Sequence, residues 1–242
     1  MEVHTHSHTP RRKWTHYFWE FLMLFLAVFC GFLAEYKLEQ TIERHREKEF
    51  MYTMIEDLKK DTIKLSQLGK SLTRIEKSID TILMNYDDLG KRLSPSLYRS
   101  IKAIYGYPVF INADRTIQQL KNSGGMRLIK NKKATDGIMN YDAAVRNYKI
   151  NDAFIERFWE NLTYQRINII DRHSLENDLK RFGEFKNDKN YLLSNDPLIL
   201  SKFKNTIYEY SLYQISTKND QKRLKERASQ LINVLKKEYR LK

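Results

Sequence analysis

The sequence predicts an all-α protein in which an N-terminal transmembrane helix continues into a long coiled-coil-like stalk and then into an α-helical bundle domain. Three observations predict this class. The 242 residues include only 8 glycines and 4 prolines, which is typical of long helices and not of turn-rich β proteins. A stretch of 14 residues without a charge lies near the N-terminus. Apolar residues then recur with a seven-residue period from Met51 to Leu89.

The first element is a polar tail, residues 1–13, that is rich in histidine. His4, His6 and His8 alternate along the chain, and this spacing places three imidazoles on one side of an extended segment. Neutral imidazoles bind divalent metals, so these residues are a weak candidate metal site. We favour the alternative, a solvated tail without a metal, because the sequence has no second cluster of ligands nearby. The sequence indicates no cofactor.

The second element is a transmembrane helix, residues 14–36. The uncharged run Phe21–Ala34 alone would also suit a buried core helix. However, Trp14 and Trp19 belong to an aromatic cluster of the kind that lies at the headgroup level of membranes. As a helix, residues 14–36 extend about 34 Å, which is enough to cross a bilayer with some tilt. No small-x-small cleavage site follows, so we expect a retained anchor instead of a signal peptide.

Glu20 lies inside this helix, upstream of the uncharged run, and has two interpretations. It is either an ion-linked carboxylate or polar contact to a partner helix, or a carboxylate that lies near the headgroups. We favour the headgroup position because Glu20 is close to the end of the span. Ala27 and Gly31 form a small-xxx-small pair, a pattern that lets two membrane helices approach each other.

The charges beside the span predict its orientation. Arg11, Arg12 and Lys13 directly precede it, whereas four basic residues are spread over the 16 residues that follow it. Positive charges next to a span favour the cytoplasmic side, and long domains are translocated largely regardless of charge. We therefore expect a single-pass protein of the inner (cytoplasmic) membrane. Its N-terminus would be cytoplasmic, and its C-terminal domain extracytoplasmic.

The third element is a helical stalk, residues 37–92. Eleven of its twelve seam positions are apolar, which predicts a coiled coil or a long helical hairpin. We therefore expect a homo-oligomer or a helical membrane-protein partner. Asp61 either specifies register or oligomeric state, or marks an edge that faces solvent, and we favour the edge. One seam holds Met51, Leu58, Leu65, Leu72, Ile79 and Tyr86, and the other Met54, Asp61, Leu68, Ile75, Ile82 and Leu89.

The fourth element is an α-helical soluble domain, residues 93–242. Ser94-Pro95 and Asp196-Pro197 are helix-start signals, with the polar residue as N-cap and proline in the first turn. Asp136 has the properties of an N-cap for a long helix rich in aromatic residues. From Pro197 onward the apolar pattern predicts either one helix as far as Tyr239 or two.

The glycine pair Gly124-Gly125 is predicted to be structural. One of the two is expected to adopt the left-handed conformation that ends a helix. A phosphate-binding loop is not indicated, because neither glycine-rich phosphate motif surrounds the pair. The sequence likewise contains no serine-hydrolase, metalloprotease, kinase or EF-hand motif, and its single cysteine excludes an internal disulfide. We expect no enzymatic activity and identify no small-molecule ligand.

The net charge of +13 raises the question of a nucleic-acid partner. The excess is concentrated in two stretches, residues 117–149 and 217–242, which carry +5 and +6. Both patterns fit ordinary amphipathic helices without a recognised binding motif. Nucleic acid is therefore an unfavoured partner, and a solvated basic face or attraction to anionic lipid explains the charge better.

Three segments resemble a group of uncharacterised single-pass membrane proteins of Bacteroidota. They are HYFWEFLMLFLAVFCGFLAE at His16–Glu35, REKEFMYTMIEDLKKDT at Arg46–Thr62, and TIQQLKNSGGMRLIKNKKATDGIMNYD at Thr116–Asp142. The resemblance implies a bacterial envelope protein with an α-helical soluble part. It implies no activity and no site residue.

These observations together predict a non-enzymatic membrane-anchored protein. It would act as a scaffold, a sensor or a subunit of an envelope complex through helix association. One alternative is a membrane subunit of an ion-coupled complex in which Glu20 is the working carboxylate. Another is a membrane-tethered nucleic-acid-binding protein.

Overall fold

The computed structural model describes residues 14–89, 91, 93–183 and 191–241, and within them it is built from helices. The only strand-like pairing there is an isolated antiparallel bridge between Ile170 and Leu192. The predicted all-α class is confirmed. The helices are α1 (Trp14–Met84), α2 (Tyr86–Leu89), α3 (Pro95–Ala103), α4 (Arg115–Asn122), a 3-10 turn (Gly125–Leu128), α5 (Lys132–Ile167), α6 (Arg172–Phe182) and α7 (Pro197–Tyr239).

The chain divides into two units, Met1–Glu49 and Phe50–Lys242, and α1 contributes residues to both. In the first unit, all residues from Trp14 to Glu49 are α-helical. Among the described residues, α1 holds the one window that is long and apolar enough to cross a membrane, and no part of that window is buried. This finding agrees with the predicted span. The candidate metal ligands His4, His6 and His8 and the basic residues Arg11, Arg12 and Lys13 lie outside the described residues.

The second unit is built around α5 and α7, which pack antiparallel along their length. Near the start of α5, Gly137 lies against Leu231, so closely that a Cβ atom at residue 137 would be 2.6 Å from Leu231 Cδ1. Further along, Asn151 and Gln165 of α5 donate hydrogen bonds to Asp220 and Thr206 of α7 (3.3 and 2.8 Å). As the residue numbers increase along α5, those of the contacting residues of α7 decrease, so the two helices are antiparallel.

The part of α1 that follows Phe50 completes this bundle. Two apolar clusters form the core, and both combine residues of α1, α5 and α7. The first cluster includes Met51, Leu58, Leu65 and Leu72 of α1, Ile138, Tyr141 and Val145 of α5, and Leu224, Leu231 and Leu235 of α7. The second includes Ile75, Ile79 and Ile82 of α1, Ile155 and Leu162 of α5, and Phe203, Ile207 and Tyr210 of α7.

The heptad positions are therefore buried, but inside the chain itself. The division between the units falls after Glu49, whereas the sequence analysis placed the end of a separate stalk at residue 92. Residues 50–89 belong to the helical domain and do not form a stalk of their own. A heptad shows that one stripe of a helix is buried, but it does not identify the helices that cover the stripe.

Helix ends follow the predicted signals at three of four places. The Ser94 hydroxyl accepts a hydrogen bond from the Leu97 backbone nitrogen (3.2 Å), and the Asp196 carboxylate accepts one from that of Leu198 (2.7 Å). Gly124 is left-handed (φ 67°), so it is the residue of the glycine pair that takes this conformation. α7 is one continuous helix, Pro197–Tyr239.

The predicted cap at Asp136 is wrong. α5 begins one turn earlier, where the Asn131 side chain accepts a hydrogen bond from the Ala134 backbone nitrogen (3.1 Å). Asn131 is itself held by a hydrogen bond to Glu238 of α7 (2.8 Å). Asn131 and Asp136 are both suitable N-cap residues by type, and the contact of Asn131 with the distant Glu238 is not visible in the local sequence.

Candidate functional site

One face of the apolar segment of α1 is aromatic. At 100° per residue, its rings fall within a sector of roughly 80°. Successive rings stack along this face, with centroids 6.3 Å apart for Phe21 and Phe25 and 5.9 Å apart for Phe25 and Phe29. Bulky apolar faces of this kind suit contact with lipid chains. The face comprises Trp14, Phe18, Phe21, Phe25, Phe29, Phe32 and Tyr36.

The opposite face is narrow and carries small and polar side chains. We call it the small-residue stripe, and it consists of His16, Glu20, Ala27, Gly31 and Ala34. It is centred roughly 150° away from the aromatic face on the same helical projection. Apart from Gly31, its two neighbours and the backbone of its own helix, no described atom lies within 4 Å of the place where a Cβ at Gly31 would be. Within a membrane, a second helix is able to approach such a stripe closely.

The structure pairs Glu20 with a partner that the sequence analysis did not consider. His16 Nε2 lies 3.1 Å from Glu20 Oε1, one helical turn away, and both side chains are about half exposed. Trp14 and Trp19, the predicted interfacial residues, are exposed close to this pair. The charged positions of the apolar segment thus group at one end of the small-residue stripe.

In the second unit, two buried aspartates of α1 hold the segment that leads into α4. Asp57 accepts hydrogen bonds from the backbone nitrogen and the hydroxyl of Thr116 (2.9 and 2.6 Å). Asp61 accepts one from the Ala113 backbone nitrogen (2.6 Å) and one from the Tyr141 hydroxyl (2.8 Å). These bonds fix the register of α1 against both the loop and α5.

The interpretation of Asp61 as an edge that faces solvent is wrong. Its side chain is completely buried. Burial raises the pKa of Asp61, although the Ala113 N–H and the Tyr141 hydroxyl act in the opposite direction. The groups that accommodate this carboxylate come from distant parts of the chain, and a heptad pattern contains no information about them. The other interpretation, that Asp61 specifies register or oligomeric state, stays a prediction, and its hydrogen-bond partners lie within the same chain.

Asp57 of α1 caps α4, because it accepts the hydrogen bond of the Thr116 backbone N–H in the first turn of that helix. Asp114 occupies the N-cap position, but its side chain makes no capping hydrogen bond.

Asp57→Ala should lower the free energy of unfolding by about 2 kcal/mol, because a buried backbone N–H loses its charged acceptor. Asp114→Ala is the matched control and should cost no more than about 0.5 kcal/mol. Urea denaturation of the full chain in detergent micelles measures both, and equal losses would contradict the assignment.

A groove lies between α5 and α7. It contains two cavities of about 490 and 270 Å³, and Arg227 lines both. The floor is apolar and closed, since Tyr141, Tyr148, Leu224 and Leu231 are all buried. The walls carry exposed polar side chains, which are Asn140, Asn147 and Asn151 of α5 and Arg223, Arg227 and Gln230 of α7. We call this feature the α5/α7 groove.

A partly buried polar contact involves Asp152, which lies on α5 between Tyr148 of the first apolar cluster and Ile155 of the second. The Tyr107 hydroxyl donates a hydrogen bond to the Asp152 carboxylate (2.7 Å), and burial raises the pKa of Asp152. The Tyr148 hydroxyl is buried and has no hydrogen-bond partner in the described part of the chain. The Tyr107 and Asp152 side chains are partly exposed, and the hydroxyl and the carboxylate are bonded to each other. We assign them to the packing of the bundle.

The fold brings the two basic stretches together. Because α5 and α7 are antiparallel, the first half of α5 lies beside the second half of α7. Residues 117–149 and 217–242 therefore share one end of the second unit, which also contains Met51 and the α5/α7 groove. Among the described residues, no group of three or more His, Cys, Asp or Glu side chains is arranged to hold a metal ion.

Comparison with known proteins identifies no relative. No family model, no curated protein and no solved structure matches the chain.

Neither the role of Asp57 nor the α5/α7 groove was predicted from the sequence. For Asp57 no local signal exists, because its partner Thr116 is 59 positions away. For the groove a weak signal exists. Asn140 and Asn147 are seven residues apart, and Arg223 and Arg227 are four apart, so each pair lies on one face of its helix. Only the packing of α5 against α7 shows that the two pairs border one groove.

Proposed function

We propose that this protein is a single-pass, non-enzymatic membrane anchor that serves as a scaffold, sensor or subunit of a complex in the bacterial envelope. Its membrane helix contacts a partner helix through the small-residue stripe. The observation that carries the proposal is the separation of the apolar segment into an aromatic face and, roughly 150° away, a face of small and polar residues. A helix that only anchors a domain needs no such separation.

Two physical arguments favour a protein neighbour at the stripe. Membrane helices gain little from burying apolar surface against each other, so they associate where small side chains permit close backbone contact. Ala27 and Gly31 provide such a place. The His16–Glu20 pair is polar, and polar groups in a span are more favourably placed against protein or near the headgroups than against lipid chains.

The heptad from Met51 to Leu89 does not support self-association of a stalk. Its apolar positions are already covered by α5 and α7 of the same chain. A second chain would have to displace this core before it reached the seam. We therefore place the association in the membrane helix, with a second copy or another single-pass protein as the partner.

We also propose that the N-terminus is cytoplasmic and that the helical domain lies on the other side of the inner membrane. The basic cluster Arg11, Arg12 and Lys13 supports this orientation. A reporter fused to the C-terminus that is active only outside the cytoplasm should be active. Activity of a cytoplasmic reporter instead would contradict the orientation and would restore nucleic acid as an available partner.

A second candidate function rests on the His16–Glu20 pair. An imidazole 3.1 Å from a carboxylate inside a membrane helix is able to exchange a proton, which would suit an ion-coupled complex. Under this alternative, Glu20→Gln abolishes the function of the complex and Glu20→Asp preserves it. Equal behaviour of the two variants supports the structural role that we prefer.

Gly31→Ile should disrupt the association. The larger side chain separates the two backbones, and a loss of close packing in a membrane typically weakens association by about tenfold. Phe32→Ile is the matched control, because it places the same side chain on the aromatic face and should change association less than about twofold. Chemical crosslinking of the full chain in native membranes, followed by quantification of the crosslinked complex, measures both. A complex that survives Gly31→Ile unchanged would contradict the proposal.

A further inference from the structure

We infer that the α5/α7 groove binds an extended acidic segment of a partner protein. In this arrangement, two carboxylates of the segment contact Arg223 and Arg227, and its backbone contacts the carboxamide side chains that line the groove. This inference is independent of helix association in the membrane, because it concerns a different unit of the chain.

The lining of the groove indicates a peptide backbone as the ligand. Asn140, Asn147, Asn151 and Gln230 all carry exposed carboxamides. Each carboxamide offers one acceptor and two donors, and each peptide group offers one acceptor and one donor. The two groups are therefore able to pair, as strands do when an extended peptide adds to a sheet edge.

The spacing of the arginines indicates acidic side chains at alternate positions. Arg223 and Arg227 are one helical turn apart, and four residues of helix rise about 6 Å. Side chains at alternate positions of an extended chain point to one side and are about 6.6 Å apart. Arginine also binds carboxylates bidentately, which adds directional specificity to the charge attraction.

The dimensions of the groove agree with this ligand. From Asn140 to Asn151, α5 rises about 17 Å, which corresponds to roughly five residues of extended peptide. The adjoining cavities of about 490 and 270 Å³ provide the volume. Arg227 lines both, so a carboxylate bound to it would lie at the centre of the segment.

The same lining disfavours an amphipathic helix as the occupant. Helices that bind in grooves insert apolar anchors at intervals of three and four residues. The apolar residues of this groove form its floor, and Tyr141 and Leu231 are each only 4% exposed. About half of the accessible lining is polar, and apolar anchors would leave its amide and guanidinium groups without hydrogen bonds.

One residue of the groove opposes an acidic ligand. Asp220 lies 3.8 Å from Arg223 and accepts a hydrogen bond from Asn151 (3.3 Å). Its carboxylate offsets part of the charge of Arg223 and would repel a nearby acidic side chain. Removing this charge should therefore strengthen binding, which gives the test a variant with an effect of opposite sign.

The test is fluorescence anisotropy with the full chain in detergent micelles and a labelled octapeptide that carries two glutamates at alternate positions among alanine and serine. We expect the peptide to bind and Arg227→Gln to weaken binding about tenfold. Lys222→Gln is the matched control, because it makes the same charge change at an exposed position on the same helix outside the groove. It should change affinity less than about twofold.

Two further variants separate peptide recognition from general charge attraction. Asn147→Ala leaves the charge unchanged and should weaken binding about threefold. Asp220→Asn should strengthen it by about the same factor. Both positions lie in the walls of the groove, and thermal melts that coincide with that of the wild type verify that the variants are folded.

The inference would be overturned if the peptide failed to bind the wild-type chain, or if Lys222→Gln weakened binding as much as Arg227→Gln. It would also be overturned if Asn147→Ala had no effect, or if a peptide with adjacent glutamates bound as tightly as the alternating one. Inhibition by inorganic phosphate alone, at equal ionic strength and as strong as that by the peptide, would also overturn it, because it would show that the groove binds a simple anion.

Discussion

Leu65→Asn is expected to lower the free energy of unfolding of the helical domain by about 4 kcal/mol. Leu65 is completely buried, and it belongs to the apolar cluster that joins α1 with α5 and α7. Loss of its side-chain volume and burial of an unpaired carboxamide both destabilise the fold. Urea denaturation of the full chain in detergent micelles, followed by circular dichroism, measures the change.

The neighbouring Ile63 provides the matched control. Its side chain is 59% exposed although it lies only two residues away. Ile63→Asn should therefore change stability by no more than about 0.5 kcal/mol. If the seam instead held two chains together, Leu65→Asn would reduce the mass of the oligomer and leave residues 93–242 folded. That outcome would contradict the assignment of residues 50–89 to the domain.

Asp61→Ala is expected to cost about 3 kcal/mol at neutral pH. It leaves the Ala113 N–H and the Tyr141 hydroxyl buried without their acceptor, and it creates a small cavity. Asp61→Asn should cost much less. Its oxygen still accepts from Ala113, and its amide nitrogen is able to donate to the Tyr141 hydroxyl. Equal losses for the two variants would contradict the role of these hydrogen bonds.

Asp61 should also make stability depend on pH. Because burial raises its pKa, the folded chain binds the proton of this carboxyl more tightly than the unfolded chain does. Its contribution is therefore most favourable below the ordinary pKa of 3.8 and decreases as the pH rises through the folded-state pKa. The stability of the wild type relative to Asp61→Asn should therefore fall as the pH rises above the ordinary pKa of 3.8. A difference that rises over this range would contradict the buried position.

Some features of this fold were predictable from the sequence because they depend on local chemistry. The cap residues Ser94 and Asp196 each precede a proline, and both begin helices as expected. The sequence predicted that Gly124 or Gly125 would adopt the left-handed conformation, and Gly124 adopts it. The apolar heptad positions were recognised because burial of a helical stripe leaves a periodic pattern.

Other features were not predictable, because they depend on contacts distant in sequence. The heptad did not show that α5 and α7 cover it, and for this reason a stalk was expected in place of a core helix. Asp61 was expected to face solvent because it is a polar residue at an apolar seam position. Its hydrogen-bond partners, Ala113 and Tyr141, are distant in sequence, so the heptad pattern did not indicate its burial. Similarly, the two faces of the apolar segment are visible in the sequence, whereas the groove requires α5 and α7 to be placed side by side.

The most direct test of helix association is photo-crosslinking from single positions in the proposed membrane helix of the full chain, in native membranes. A photoreactive amino acid at Met23 or Leu24, two large exposed residues that flank the small-residue stripe, should give a protein adduct without filling the contact itself. The same amino acid at Phe25 or Phe29, on the opposite face, should give an adduct with lipid and little with protein. Protein adducts of equal yield from both faces, or none from Met23 and Leu24, would contradict association through the small-residue stripe.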